Sequence, residues 1–179
     1  MVTDEPDGRR RRGLRRRAVL IDATLRVVSR DGVAAVTHRA VAQEAGLPGS
    51  AVSHQFASID ELLSAALTSQ TEQLVAALTD TADLTGFAAE LVRLFGADTS
   101  AVAARYELYL RAARNPATRE STGLWLGLLA TVARHHTEDP VRAQTFASVV
   151  DGYFLQRIST GTPPSAAELE RLIRAALGA

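Results

Sequence analysis

The chain has 179 residues, 46% of them apolar, and no cysteine, which excludes a disulfide framework, a thiol nucleophile and thiolate metal ligation. Its uninterrupted apolar stretches fall far short of the roughly 20 residues needed to cross a bilayer, and no secretory pattern heads the sequence, so a cytoplasmic protein without membrane contact is expected. Net charge is zero, yet ten arginines between Arg9 and Ile59 face only Asp22, Asp31 and Glu44, whereas from Asp60 onward ten arginines face fourteen acids, so a polyanion would be drawn to one end only.

Residues 1–13, with the run Arg9–Arg12, are expected to form a flexible arginine-rich arm. From Leu14 to Ser29, Leu20, Ile21, Leu25 and Val28 recur near helical spacing, and Asp31-Gly32 closes this first helix with a residue suited to the left-handed conformation. Thr37 is placed to cap a second helix with Ala40, Val41 and Ala45 facing inward, and Gly46 ends it. Pro48 suits a helix start, and a third helix follows to Phe56 with Val52 and Phe56 on its buried side. Ser58-Ile59-Asp60-Glu61 reads as a capping box opening a long helix with Leu63, Leu67, Leu74 and Leu78 on one stripe.

Beyond it, Leu84–Phe95 and Ser100–Arg114 read as helices. The second carries Val102, Tyr106, Tyr109 and Ala113 on one side and a Glu107–Arg111 pair on the other, before Asn115-Pro116 breaks the chain. Another helix runs through Leu124, Trp125, Leu128, Leu129 and Val132 to His135-His136. Asp139-Pro140 starts the next, through Phe146, Val150, Phe154 and Ile158, and Gly161-Thr162-Pro163-Pro164 interrupts it. Ser165 and Glu168 form a second capping box ahead of a last helix striped by Leu169, Leu172, Ile173, Ala176 and Leu177. No segment alternates as a strand would. The expected fold is all-α with about nine helices: a helix-turn-helix domain over 14–58 and a larger helical domain over 59–179.

Enzymatic chemistry finds little support. The chain has no phosphate-cradling glycine loop, no H-E-x-x-H or Glu-x-x-His ligand pattern, and no carboxylate and histidine that spacing would pair, so no catalytic residue, cofactor or metal is expected. His135 and His136 point about 100° apart on a helix and fit a helix end favoured by the dipole better than a metal site. Phe87, Phe95, Arg105, Tyr106, Tyr109 and Trp125 are candidate lining for a small-molecule pocket, with Arg105 a candidate anchor for an acidic compound.

The segment Thr37–Phe56 carries the functional signal. A helix that meets the major groove needs small or polar groups on its outer side, and Gly49, Ser50, Ala51, Ser53 and His54 supply them. Arg39 on the preceding helix is placed to reach a guanine edge or a phosphate, and the arginine run adds sequence-independent attraction.

Taken with its neighbours, this segment resembles the TetR family of bacterial transcriptional regulators. The matching residues are Arg17, Ile21, Ala23, Gly32, Thr37-x-Arg39-x-Val41-Ala42, Ala45-Gly46-Leu47, Val52, Phe56, Ser58 and Glu61-Leu62-Leu63. Tyr106 to Leu110, Ala112 to Pro116 and Asp151-Gly152 resemble the family more loosely. The resemblance implies a dimeric repressor of palindromic double-stranded DNA, paired through its last two helices (about 140–178) and released by a small-molecule effector in its middle helices. It further implies base approach by Arg39, Gly49, Ser50, Ala51 and His54, and backbone contact by Thr37, Ser53, Gln55 and the arginine arm, with Arg15, Arg16, His38 and Pro48 in the same surface. Three positions depart from the family pattern: Ser53 stands where tyrosine is usual, Gln55 where histidine is, and Ile59 where lysine is.

Overall fold

The computed structural model describes residues 5–79, 81, 83–96, 99–112 and 119–179. Among them the chain forms nine α-helices and a short 3-10 turn, Val33–Ala35, with no strand. The helices are α1 (Glu5–Asp31), α2 (His38–Glu44), α3 (Ser50–Gln55), α4 (Ile59–Thr79), α5 (Leu84–Gly96), α6 (Thr99–Ala112), α7 (Arg119–Arg134), α8 (Pro140–Thr160) and α9 (Ala166–Leu177). The all-α expectation holds. The helix break expected at Asn115-Pro116, the positions Ala113 and Arg114, and the Arg111 side chain lie outside the described residues.

Over residues 5–13 the flexible arm is corrected, and residues 1–4 lie outside the described residues. α1 begins at Glu5, so Arg9–Arg12 continue the first helix instead of preceding it. A proline in the first turn is tolerated, and arginine is a good helix former. Once the helix behind it is nucleated, each added residue gains a backbone hydrogen bond at little further cost.

Local capping fixes the corners of the head. Gly32 after α1 has φ +81°, and Gly46 after α2 has φ +63°, a region that L side chains enter only with strain. Thr37 caps α2 by accepting the Ala40 N–H at 3.1 Å. Ser58 accepts the Glu61 N–H at 3.1 Å ahead of α4, but the Glu61 carboxylate accepts the Ala57 N–H at 2.7 Å, one residue upstream of the reciprocal bond that a full capping box makes. The second box is likewise half-formed. Ser165 caps α9, whereas the Glu168 carboxylate turns to Arg157, and the Ser165 N–H donates to the Tyr153 hydroxyl at 2.6 Å.

Two cores result. The head core gathers Leu20, Ala23, Val27, Val41, Val52 and Phe56, and is closed by Leu62, Leu63 and Leu67 of α4 and by Ala104 and Leu108 of α6. Three helices alone therefore do not complete it. The body core packs Phe87, Leu91, Phe95, Trp125, Phe146, Val150, Phe154, Leu169 and Ile173 among α5, α7, α8 and α9. α4 and α6 contribute to both, so the head cannot shift without engaging helices of the body.

Candidate nucleic-acid interface and body-domain cluster

α2 and α3 are seven and six residues long, too short to persist alone, and their placement comes from contacts with α1 and with each other. The Leu47 N–H returns to the Ala42 carbonyl at 2.9 Å across the Gly46 turn, and the Ala51 N–H bonds the Pro48 carbonyl at 2.8 Å to start α3. Arg17 holds the far end of α3. Its guanidinium donates to the Gln55 carbonyl at 3.1 Å, lies 4.1 Å over the Phe56 ring and approaches Glu61 at 3.5 Å. One side chain thus caps α3 and ties it to α1 and α4. Arg26 and Arg30 of α1 grip Glu44 at the end of α2 at 2.7 and 2.9 Å, fixing the other helix of the pair.

Within this frame Thr37, Arg39, Pro48, Gly49, Ser50, Ser53 and His54 are exposed on one surface segment, and Gly49 has open space where a side chain would project. Ala51 is corrected: it is 5% exposed and belongs to the head interior beside Val52, so it offers no group to a ligand. His38 is only half-exposed, and its Nε2 is buried without a partner, directed away from solvent. Ser53 donates its hydroxyl proton to the Ser50 carbonyl at 3.1 Å, leaving oxygen lone pairs outward in place of a donor. Gln55 is half-buried and, with Arg12, Gly13 and Arg16, lines an open cleft of about 290 Å³ where the start of α1 meets the end of α3. Arg12, Arg15 and Arg16 fall three and four positions apart on α1 and are exposed, so a single helical face carries concentrated positive charge beside α3.

In the body, four of the six candidate pocket residues converge. Phe95 stacks on Trp125 with ring centroids 6.1 Å apart and packs against Phe154 at 4.5 Å. The Arg105 guanidinium lies 4.8 Å over Trp125 and 5.7 Å from the Phe95 ring. The Tyr106 hydroxyl donates to the Asp151 carbonyl at 3.0 Å. Tyr109 is half-buried at the edge of this group, and burial, followed by the charge of Asp151, raises its pKa. Phe87 separates from them: its ring contact is with Phe146 at 5.8 Å, in the wall between α5 and α8.

Asp151 is a functional candidate that the sequence reading placed only as a family match. Its carboxylate accepts the Trp125 indole N–H at 3.0 Å, and burial raises its pKa against the opposing pull of that bond and of Arg105. Burial conversely lowers the pKa of Arg105, and it raises that of Tyr106. The signal lay in the sequence as an acid set among Ala147, Val150 and Phe154 on a buried stripe. Glu107 is a second case. Its carboxylate accepts the Val33 N–H at 3.0 Å, so α6 holds the 3-10 turn that follows α1, a contact the local Glu107–Arg111 spacing did not indicate.

α8 and α9 present a further surface. Val141, Leu155 and Leu172 are 70%, 51% and 42% exposed, and Val149, Gly152, Gln156 and Leu172 border a groove of about 340 Å³.

Residues 20–66 match the family model described as bacterial regulatory proteins, tetR family, and residues 79–179 match the tetracyclin repressor-like C-terminal domain. Over 109 residues the chain is 36% identical to the HTH-type nicotine-responsive transcriptional repressor HdnoR of Paenarthrobacter nicotinovorans, a match spanning 56% of each protein. Among solved structures it is 34% identical to the multidrug binding protein EbrR complexed with ethidium, over 90% of this chain and 97% of that one, with a TM-score of 0.76. A member of the TetR family from Streptomyces coelicolor A3 is 35% identical over 90% of this chain and 99% of its own, also with a TM-score of 0.76.

Proposed function

The chain belongs to the tetR family of bacterial regulatory proteins, and we propose that it is a ligand-responsive transcriptional repressor that grips operator DNA as a homodimer and lets go when a small molecule occupies the body. One observation carries this reading: a short, polar, outward-facing α3 lies beside the arginine-bearing face of α1. In this reading Arg39, Gly49, Ser50 and His54 meet base edges, and Thr37, Gln55, Arg15 and Arg16 meet the backbone. With Ser53 committed to Ser50, the helical arginines supply the donors that family members draw from tyrosine, histidine and lysine.

The exposed apolar residues of α8 and α9 are the surface through which two copies pair, placing two reading helices on half-sites about 34–36 Å apart. HdnoR is described as nicotine-responsive, and EbrR as a multidrug binding protein complexed with ethidium. The cluster of Phe95, Tyr106, Tyr109 and Trp125 offers flat apolar faces for a ligand of that kind. A ligand that displaces α6 acts on the head directly, because Ala104 and Leu108 close the head core and Glu107 holds the Val33 N–H. Unequal affinity for the two head positions then sets DNA occupancy.

Gel-shift titration with the intergenic DNA beside the protein's own gene tests the proposal. Specific, salt-dependent retention is expected, and Arg39→Ala should cost about 1–3 kcal/mol with preference relaxed at one operator position. A uniform loss across sequences would reassign Arg39 to phosphate. A well-folded protein that shifts no sequence specifically would remove the repressor reading.

A further inference from the structure

The junction between head and body holds a half-open cavity of about 210 Å³ with walls from α1, α4 and α6. Leu25 and Val28 of α1 and Ala104 and Leu108 of α6 give it an apolar lining, and Gln70 of α4 and Arg105 of α6 are among its polar residues. Both have an unused group, for Gln70 Oε1 and Arg105 Nη1 are buried without a hydrogen-bond partner. Polar atoms in protein interiors are almost always paired, so an orphan on each of two side chains that border one cavity calls for a partner that a small turn of either side chain would reach.

The charge points the same way. Arg105 is 5% exposed, keeps its proton at any physiological pH, and makes no ion pair among the described residues. Asp151, whose charge reaches it, is bonded to the Trp125 indole, and the guanidinium presents a face to that same ring. A buried cation without a bonded anion is costly, and a ligand that supplies the anion removes the cost. The cavity is also large enough: an apolar cavity of about 150 Å³ holds benzene.

We propose that this junction cavity is a binding site for a compact organic carboxylate that carries a hydrogen-bond donor at the end remote from its acid group. The carboxylate pairs with Arg105, the donor serves Gln70 Oε1, and a single ring or short chain fills the space among Leu25, Val28, Ala104 and Leu108. The site differs from the aromatic cluster of the body, with which it shares Arg105. Because its walls come from the head and from both helices that reach into the body, an occupant favours one placement of the head over another.

The probe is 4-hydroxybenzoate, with benzoate and the neutral benzamide for comparison, added to the full chain without DNA and followed by calorimetry and by amide NMR shifts. One saturable site per chain is expected, with shifts at Val28 and Leu108 and benzamide at least tenfold weaker. Arg105→Met should abolish binding of both acids. Gln70→Leu should weaken 4-hydroxybenzoate at least fivefold and leave benzoate unchanged. Ala104→Leu, which fills the space and keeps both polar groups, should exclude all three probes, and this variant decides the matter if Arg105→Met does not fold. Equal affinity for benzamide, equal loss of both acids in Gln70→Leu, or no saturation at millimolar probe would overturn the proposal and leave a cavity that holds only water. Since no DNA is present, failure of the repressor reading would leave this result standing, and the reverse also holds.

Discussion

The head and the body are built from different materials. The head core is made of Leu, Val and Ala around one ring, Phe56, and its corners are fixed by Thr37, Gly32, Gly46 and Ser58 over distances of a few residues. The body packs Phe87, Phe95, Trp125, Phe146, Tyr153 and Phe154 and buries Arg105 and much of Asp151 among them. Helices as short as α2 and α3 need caps and tight turns to hold one geometry, which a surface that reads a rigid duplex requires. The long helices of the body are instead held by ring packing and a few buried polar groups, so a compound that enters among them must displace a ring or replace a bonded polar partner.

The largest expected effects lie in the body. Trp125→Ala removes a side chain that is 1% exposed and strands both Asp151 and Arg105, so it should cost about 3–5 kcal/mol in denaturant unfolding. Trp125→Phe separates the two contributions. It keeps a ring under Arg105 but leaves the Asp151 carboxylate without its indole donor, and a loss of about 1–3 kcal/mol is expected. If Trp125→Phe is neutral, the body is held by ring packing alone, and the contrast with the head narrows to residue size.

That contrast also explains what was legible in the sequence. Caps and left-handed glycines act on neighbouring residues, so Thr37, Gly46, Asp139, Gly161 and Ser165 marked helix ends that the structure confirms. Stripes such as Leu169, Ile173 and Leu177 marked the buried faces of long helices. Ala51 was misread because six residues of α3 are fewer than two turns, too few for periodicity to separate the inner face from the outer, and alanine suits both. The bond from the Val33 N–H to Glu107 was not legible because the two residues lie 74 positions apart, and local spacing pointed only to Arg111. Phe87 and Phe95 share a helix and a composition, and only the tertiary packing sends one to Phe146 and the other to Trp125.

Smaller effects are expected in the head, and they should appear in DNA binding as well as in stability. Gly46→Ala forces a β-carbon into the left-handed region, although the site has open space, and should cost about 1–2 kcal/mol. Thr37→Ala removes the acceptor for the Ala40 N–H and should cost about 1 kcal/mol. Both substitutions should weaken operator retention in gel shifts, because each loosens α2 against α3, and Thr37→Ala also removes a side chain assigned to the DNA backbone. Unchanged retention with reduced stability would mean that DNA itself restores the geometry, and the head would then be as adaptable as the body.

The smallest effect concerns the clamp between α1 and α2. Glu44 accepts from Arg26 and Arg30, and these bonds, that of Arg26 first, hold its pKa below the ordinary glutamate value. A group whose pKa is depressed on folding stabilises the native state above its unfolded pKa, and that contribution is lost as pH falls through the folded value. The clamp is therefore fully present at neutral pH and fades only below the usual carboxylate range. Glu44→Gln should lower the melting temperature slightly at pH 7 and make no difference once acid has protonated Glu44 in the parent protein, so the two melting curves should converge as pH falls. Since both arginines are solvent-facing, added salt should also shrink the difference at pH 7. A gap that survives both acid and salt would show that Glu44 acts through packing, and the head would then owe less to its surface charges than to its small core.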